Sequence, residues 1–166
     1  MDVRAGLEAG GPSPLGDSVP ASNHSGSLGA LGDRRRPRIL VADDDTAIRE
    51  VLTVALELEG YEVSAARDGM AALDVVESFA PDVIVVDMQM PIMGGRDFAE
   101  AYHSRPGPHA PIIALTGSCD PKTSAEEVGA YAFMPKPFEL NDLLAIVTQI
   151  VGNHDARHPS HFKDEQ

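Results

Sequence analysis

The chain has 166 residues, 43% of them apolar, and a formal net charge of −13, which is room for one domain with a sizeable core and little for a second. Residues 37–152 carry 19 acids against seven bases with no basic stripe, a poor electrostatic match for DNA or RNA, so no direct nucleic-acid binding is expected. A single cysteine excludes a disulfide framework and no window approaches a membrane span, so the expected location is cytoplasmic.

Residues 1–36 hold seven Gly, five Ser and three Pro, with four acids balanced by four Arg and no apolar run longer than two. Such a segment cannot bury enough surface to offset its ordering entropy, and it reads as disordered. It lacks the apolar centre of a secretory signal. The Arg34–Arg36 run with Arg38 reads as a solvated linker, with contact to an anionic surface as the alternative.

After Pro37 the sequence alternates strand and helix signals. Ile39–Ala42 is a short apolar run that ends in three carboxylates, Asp43, Asp44 and Asp45. From Thr46, Ile48, Val51, Leu52, Ala55 and Leu58 recur at helical spacing, and Gly60 supplies the stop. Tyr61–Ala65 reads as a strand, and Asp68 as the cap of a helix with Ala72, Leu73 and Val76 inward, ending before Pro81. Val83–Val86 is a β-branched run that again ends in a carboxylate, Asp87. A helix over about Gly95–Ser104 stops before Pro106. Ile112–Leu115 and Tyr131–Met134 are the last strands. Leu140, Leu143, Leu144, Val147 and Ile150 mark a closing amphipathic helix.

Apolar runs without alternation are strands covered on both faces. Strand and helix in alternation imply an α/β domain, a doubly wound five-stranded parallel sheet with helices on both faces, and ligands then bind beyond the carboxyl ends of the strands. Asp43, Asp44, Asp87, Thr116 and Lys136 all fall at such ends. Taken singly, all but Asp87 have a plainer reading: a helix-terminus acid, a turn cap, a surface lysine. Asp87, ending a buried strand before Met-Gln-Met-Pro, has no capping role. Together they supply the parts of phosphoryl transfer. Clustered carboxylates repel and need a cation or raised pKa values, and as hard oxygens they suit Mg²⁺. A carboxylate can attack phosphorus to form an acyl phosphate. An ammonium and a hydroxyl then serve the phosphoryl oxygens.

The segments Ile39–Asp45, Asp82–Gly95, Pro111–Gly117 and Gly129–Phe138 resemble the receiver domains of two-component response regulators, including stand-alone, chemotaxis-regulator-like members. The resemblance covers about Arg38 to Val151. It implies a flavodoxin-like fold, Asp87 as phosphoacceptor, and Mg²⁺ held by Asp43, Asp44, Asp87 and the backbone carbonyl of Gln89. It also implies that Thr116 and Lys136 contact the phosphoryl group, with Thr116 and Phe133 as the switch pair. The partners it implies are a histidine kinase or histidine phosphotransfer protein and a downstream protein. The chain would be no enzyme beyond its own phosphorylation and dephosphorylation. Alternatives are a haloacid-dehalogenase-like phosphatase, whose Asp-x-Asp-x-Thr spacing the run Asp43–Thr46 misses by one residue, and a pseudo-receiver that binds partners without phosphorylation.

Two departures stand out. Ala42 replaces a larger aliphatic, at some cost in packing. The stretch from Thr116 to Gly129 is short. A helix there starts at Asp120-Pro121, with Pro in its first turn, or at a Ser124–Glu127 capping box that leaves little more than one turn, and either way it is a stub or poorly ordered. Cys119 in that stretch is not read as a redox sensor. Met88, Met90 and Met93 read as loop packing. The domain is placed at 37–152 and a flexible tail at 153–166, whose His154, His158 and His161 are not read as a metal site. With no output domain expected after residue 152, the module acts alone, serves as a relay intermediate, or is one piece of a longer chain.

Overall fold

The computed structural model describes residues 35–117 and 128–156. β1 (Arg38–Ala42), α1 (Thr46–Leu58), β2 (Glu62–Ala66), α2 (Gly69–Phe79), β3 (Val83–Asp87), α3 (Gly95–His103), β4 (Ile112–Thr116), β5 (Ala132–Pro135) and α4 (Leu140–Ala156) follow in chain order. The strands form one sheet in the order β2-β1-β3-β4-β5, parallel throughout. The doubly wound α/β sheet expected from the apolar runs is therefore present.

Successive residues of each inner strand feed opposite faces, as the pleat requires. Leu40, Ala42, Ile84, Val86 and Ile112 pack with Ala72, Leu73 and Val76 of α2 and Phe98, Ala99 and Tyr102 of α3. Ile39, Val41, Val83, Val85, Ile113 and Leu115 pack with Leu52 and Leu56 of α1 and Leu143, Val147 and Ile150 of α4. Ala42 is completely buried beside Ala66 and Ala72, so the small residue belongs to a set that lets α2 lie close to the sheet.

Several boundaries are set by chemistry that periodicity does not show. α1 ends in a Schellman turn: Gly60 at φ 92 donates to the Glu57 carbonyl at 3.0 Å and Tyr61 to that of Leu56 at 3.2 Å. Because the Tyr61 amide closes the helix, β2 starts at Glu62. The inner stripe of α1 runs through Leu52 and Leu56, whereas Val51 and Leu58, expected inside, are 56% and 82% exposed. α4 continues to Ala156, past residue 152 where the domain was expected to end. Arg35 and Arg36 are exposed, as a solvated run would be, but Arg35 and the partly buried Arg38 also have fixed partners. Arg35 makes a bidentate pair with Asp82 at 2.9 Å, and Arg38 donates to the Phe79 carbonyl at 3.0 Å. The short helix and Cys119 expected within 118–127 lie outside the described residues, as do residues 1–34 and His158 and His161 of the tail.

Candidate functional site

β1, β3 and β4 are adjacent in the sheet, and their carboxyl ends deliver Asp43, Asp87 and Thr116 to one rim. All three are buried polar residues, at 0%, 4% and 2% exposure, so each needs polar partners. The acidic triplet divides its work. Asp45 is the N-cap of α1, accepting from the amides of Ala47 and Ile48 at 2.9 and 3.2 Å, so the helix-terminus reading holds for this one member. Asp43 faces the rim, where Oδ1 accepts from the Asp45 amide at 2.9 Å and Oδ2 from Lys136 Nζ at 3.0 Å. Asp44 is exposed.

Asp87 Oδ1 accepts from the Gln89 amide at 3.1 Å, and Oδ2 accepts from the same Lys136 Nζ at 2.9 Å. Lys136 thus bridges two buried carboxylates across 93 and 49 residues of sequence. Its own amide donates to the Thr116 carbonyl at 2.7 Å, which ties the lysine backbone to the end of β4. Burial pushes the Asp87 carboxyl above its ordinary value; the Gln89 amide and the Lys136 ammonium oppose this, and the Asp43 charge adds to it. For Lys136, burial alone would lower the pKa. Its hydrogen bonds to Asp87 and Asp43 and their charges outweigh that, and the ammonium is held above its ordinary value.

Carboxylate oxygens of Asp43, Asp44 and Asp87 lie within 4.8 Å of one another. Octahedral ligands at about 2.0–2.1 Å from Mg²⁺ are about 3–4.2 Å apart, so this all-oxygen donor set suits that ion with little movement. Gln89 is exposed two residues beyond Asp87. Phe133 is partly buried on β5, in register with Ala114, the second residue before Thr116.

The loop that carries Asp87 into α3 explains its glycines. A Cβ on Gly95 would stand 2.6 Å from the Asp87 carbonyl oxygen and 2.9 Å from Met88 Cα, and one on Gly94 would stand 3.1 Å from the Met88 carbonyl. Met88, Met90 and Met93 pack against the α2–α3 core, as loop packing requires. Ile92 holds φ 70, a left-handed conformation that a β-branched residue adopts only under constraint. Sequence reasoning passed over Arg49, whose Nη1 donates to the Asp43 carbonyl at 2.7 Å. Its signal was a cation near a helix N-terminus, against the helix dipole, beside three acids.

The family profile described as "Response regulator receiver domain" matches residues 39–148. The chain is 42% identical over 110 residues to response regulator MprA of Mycobacterium avium (strain 104), an alignment covering 65% of this chain and 48% of that protein. It therefore spans about half the length of the curated relatives it matches. Among solved structures, chemotaxis response regulator CheY4 of Vibrio cholerae superposes with a TM-score of 0.64 at 32% identity, over 69% of this chain and 98% of that one. TrrA of Thermotoga maritima, solved in complex with Mg²⁺-BeF, superposes at 0.61 with 32% identity, over 69% and 98%.

Proposed function

Because the chain belongs to the response regulator receiver domain family, we propose that Asp87 is its phosphoacceptor and that the phosphoryl donor is a histidine kinase or histidine phosphotransfer protein. The observation that carries this is the Lys136 ammonium 2.9 Å from Asp87 and 3.0 Å from Asp43, at a rim where three carboxylates converge. An Asp87 oxygen attacks phosphorus as the bond from phosphorus to the donor nitrogen breaks, and the electron pair leaves with the imidazole. Asp43, Asp44, Asp87 and the Gln89 carbonyl would hold Mg²⁺, which supplies positive charge to the transferring phosphoryl oxygens. Lys136 pairs with the same oxygens, and the Thr116 hydroxyl donates to them.

The signal passes by population shift. Drawing Thr116 toward the phosphoryl group leaves Phe133, two strand positions away on β5, to change rotamer. Moving such a switch from mostly off to mostly on takes about 5.5 kcal/mol of differential interaction, which charge-assisted bonds at Lys136 and Thr116 can largely provide. The reading assigns the domain a cytoplasmic location, a protein partner for output, no direct nucleic-acid contact, and no catalysis beyond its own phosphorylation and dephosphorylation. The expected span of the domain is residues 37–152, flanked by the segments 1–36 and 153–166.

Incubation with acetyl phosphate and Mg²⁺ tests the assignment. One hydroxylamine-labile phosphoryl group should appear on the wild-type chain and none on Asp87→Ala; labelling that survives the substitution would move the acceptor elsewhere.

A further inference from the structure

Arg49 has no part in the machinery described above, yet it is bonded to it. Its Nη1 donates to the Asp43 backbone oxygen at 2.7 Å and its Nη2 lies 3.4 Å from Thr46 Oγ1. That carbonyl belongs to the peptide joining Asp43 to Asp44. Asp43 is fixed on every other side as well: its amide donates to Ala66 O at 3.1 Å, and its carboxylate is held by the Asp45 amide and Lys136. Asp44 is different. It is exposed, and among the described residues no group hydrogen-bonds its carboxylate. With no bond to its carboxylate, what the fold fixes of Asp44 is the direction of its Cα–Cβ bond, which follows from the peptide plane before it. Among the described residues Arg49 is the side chain bonded to that plane.

We propose that Arg49 is a positioning residue for the divalent cation: by clamping the Asp43–Asp44 peptide it aims Asp44 at the point where Asp43 and Asp87 converge. The inference rests on reading those three carboxylates as the Mg²⁺ site. It has a distinctive sign. As a bare positive charge beside the acids, Arg49 would repel Mg²⁺, and removing it would tighten binding. As the group that orients a ligand, it favours binding, and removing it weakens binding, by the ten- to hundredfold typical of partners that orient metal ligands.

The experiment measures the rise in melting temperature of the full chain with Mg²⁺ concentration, at constant ionic strength, for wild type, Arg49→Met and Arg49→Lys. Stabilisation by a ligand grows with its concentration relative to Kd, so each series yields an affinity. The expected result is a Mg²⁺ Kd raised about tenfold in Arg49→Met and partly recovered in Arg49→Lys, which keeps a donor. Without Mg²⁺ the three chains should melt within about 5 °C of one another, a shift of about 1 kcal/mol for a domain of this size. Unchanged or tighter binding by Arg49→Met would overturn the proposal. So would a much larger loss of cation-free stability in Arg49→Met with normal Mg²⁺ affinity in Arg49→Lys, which assigns Arg49 to the fold alone. A wild-type chain that binds no Mg²⁺ would overturn the metal site and this role together, a result distinct from either.

Discussion

Two glycine-to-alanine substitutions, both inside helices, should shift stability in opposite directions. Gly95 is the first residue of α3, and a methyl group there would stand 2.6 Å from the Asp87 carbonyl oxygen, where ordinary contact begins at 3.4 Å. The 0.8 Å of overlap falls on backbone, and Met88 Cα at 2.9 Å closes the other way out. The start of α3 must move off the end of β3. Overpacking of this kind costs about 1–3 kcal/mol, more than the gain of at most about 1 kcal/mol from replacing glycine in a helix. Gly152 lies in α4, exposed, with nothing within 4 Å of the position its Cβ would take. Gly152→Ala keeps the propensity gain without the clash and should stabilise by about 0.5–1 kcal/mol. Urea melts of the two variants should therefore straddle the wild type. Gly95→Ala should also lose phosphoryl labelling, because the displaced start of α3 packs directly on the backbone of Asp87 and Met88. Equal stabilisation by both substitutions would refute the close approach of α3 to the acceptor strand.

Lys136→Met leaves the buried Asp43 and Asp87 carboxylates facing each other without a counter-charge, and should destabilise the cation-free domain by about 2–4 kcal/mol; thermal melts should show the loss shrinking when Mg²⁺ is added. The folded-state pKa of Asp87 is raised, so its contribution to stability is greatest below the unfolded value and is lost as pH climbs through the folded one. Asp87→Asn should therefore be the more stable chain at pH 7.5 without Mg²⁺, with the difference closing as pH is lowered toward 4 in denaturant melts. Ile92 is 79% exposed at φ 70, so Ile92→Asn gives up little packing and relieves left-handed strain. It should stabilise by about 1 kcal/mol in the same assay.

The sheet and its helices were legible because strands covered on both faces are written as unbroken apolar runs, as in Ile39–Ala42 and Val83–Val86, and because Asp68 and Gly60 mark helix ends. The site was legible because its polar residues end those same runs. What stayed hidden depends on three-dimensional bonding. Nothing in the spacing of Val51 and Leu58 tells which edge of the apolar stripe faces water. Arg35 reads as part of a basic linker until Asp82, 47 residues away, is seen to hold it. Arg49 acts on a backbone carbonyl, a partner that every residue possesses and no motif records. The division of labour within Asp43–Asp45, with one member capping a helix while the others face the rim, follows from the direction in which the chain turns after β1.

The sheet also works as a partition wall. Ile84 and Val85 are neighbours in the chain, yet they belong to separate apolar compartments, one beneath α2 and α3 and the other beneath α1 and α4. A defect in one compartment has no side-chain route to the other, so its repair must come from the same side. Substitutions within a compartment should be epistatic, and those across the wall additive to within about 0.5 kcal/mol where the two sites lie more than about 10 Å apart. Each face of the molecule is then free to change its surface, and with it what it binds, without renegotiating the packing of the opposite face.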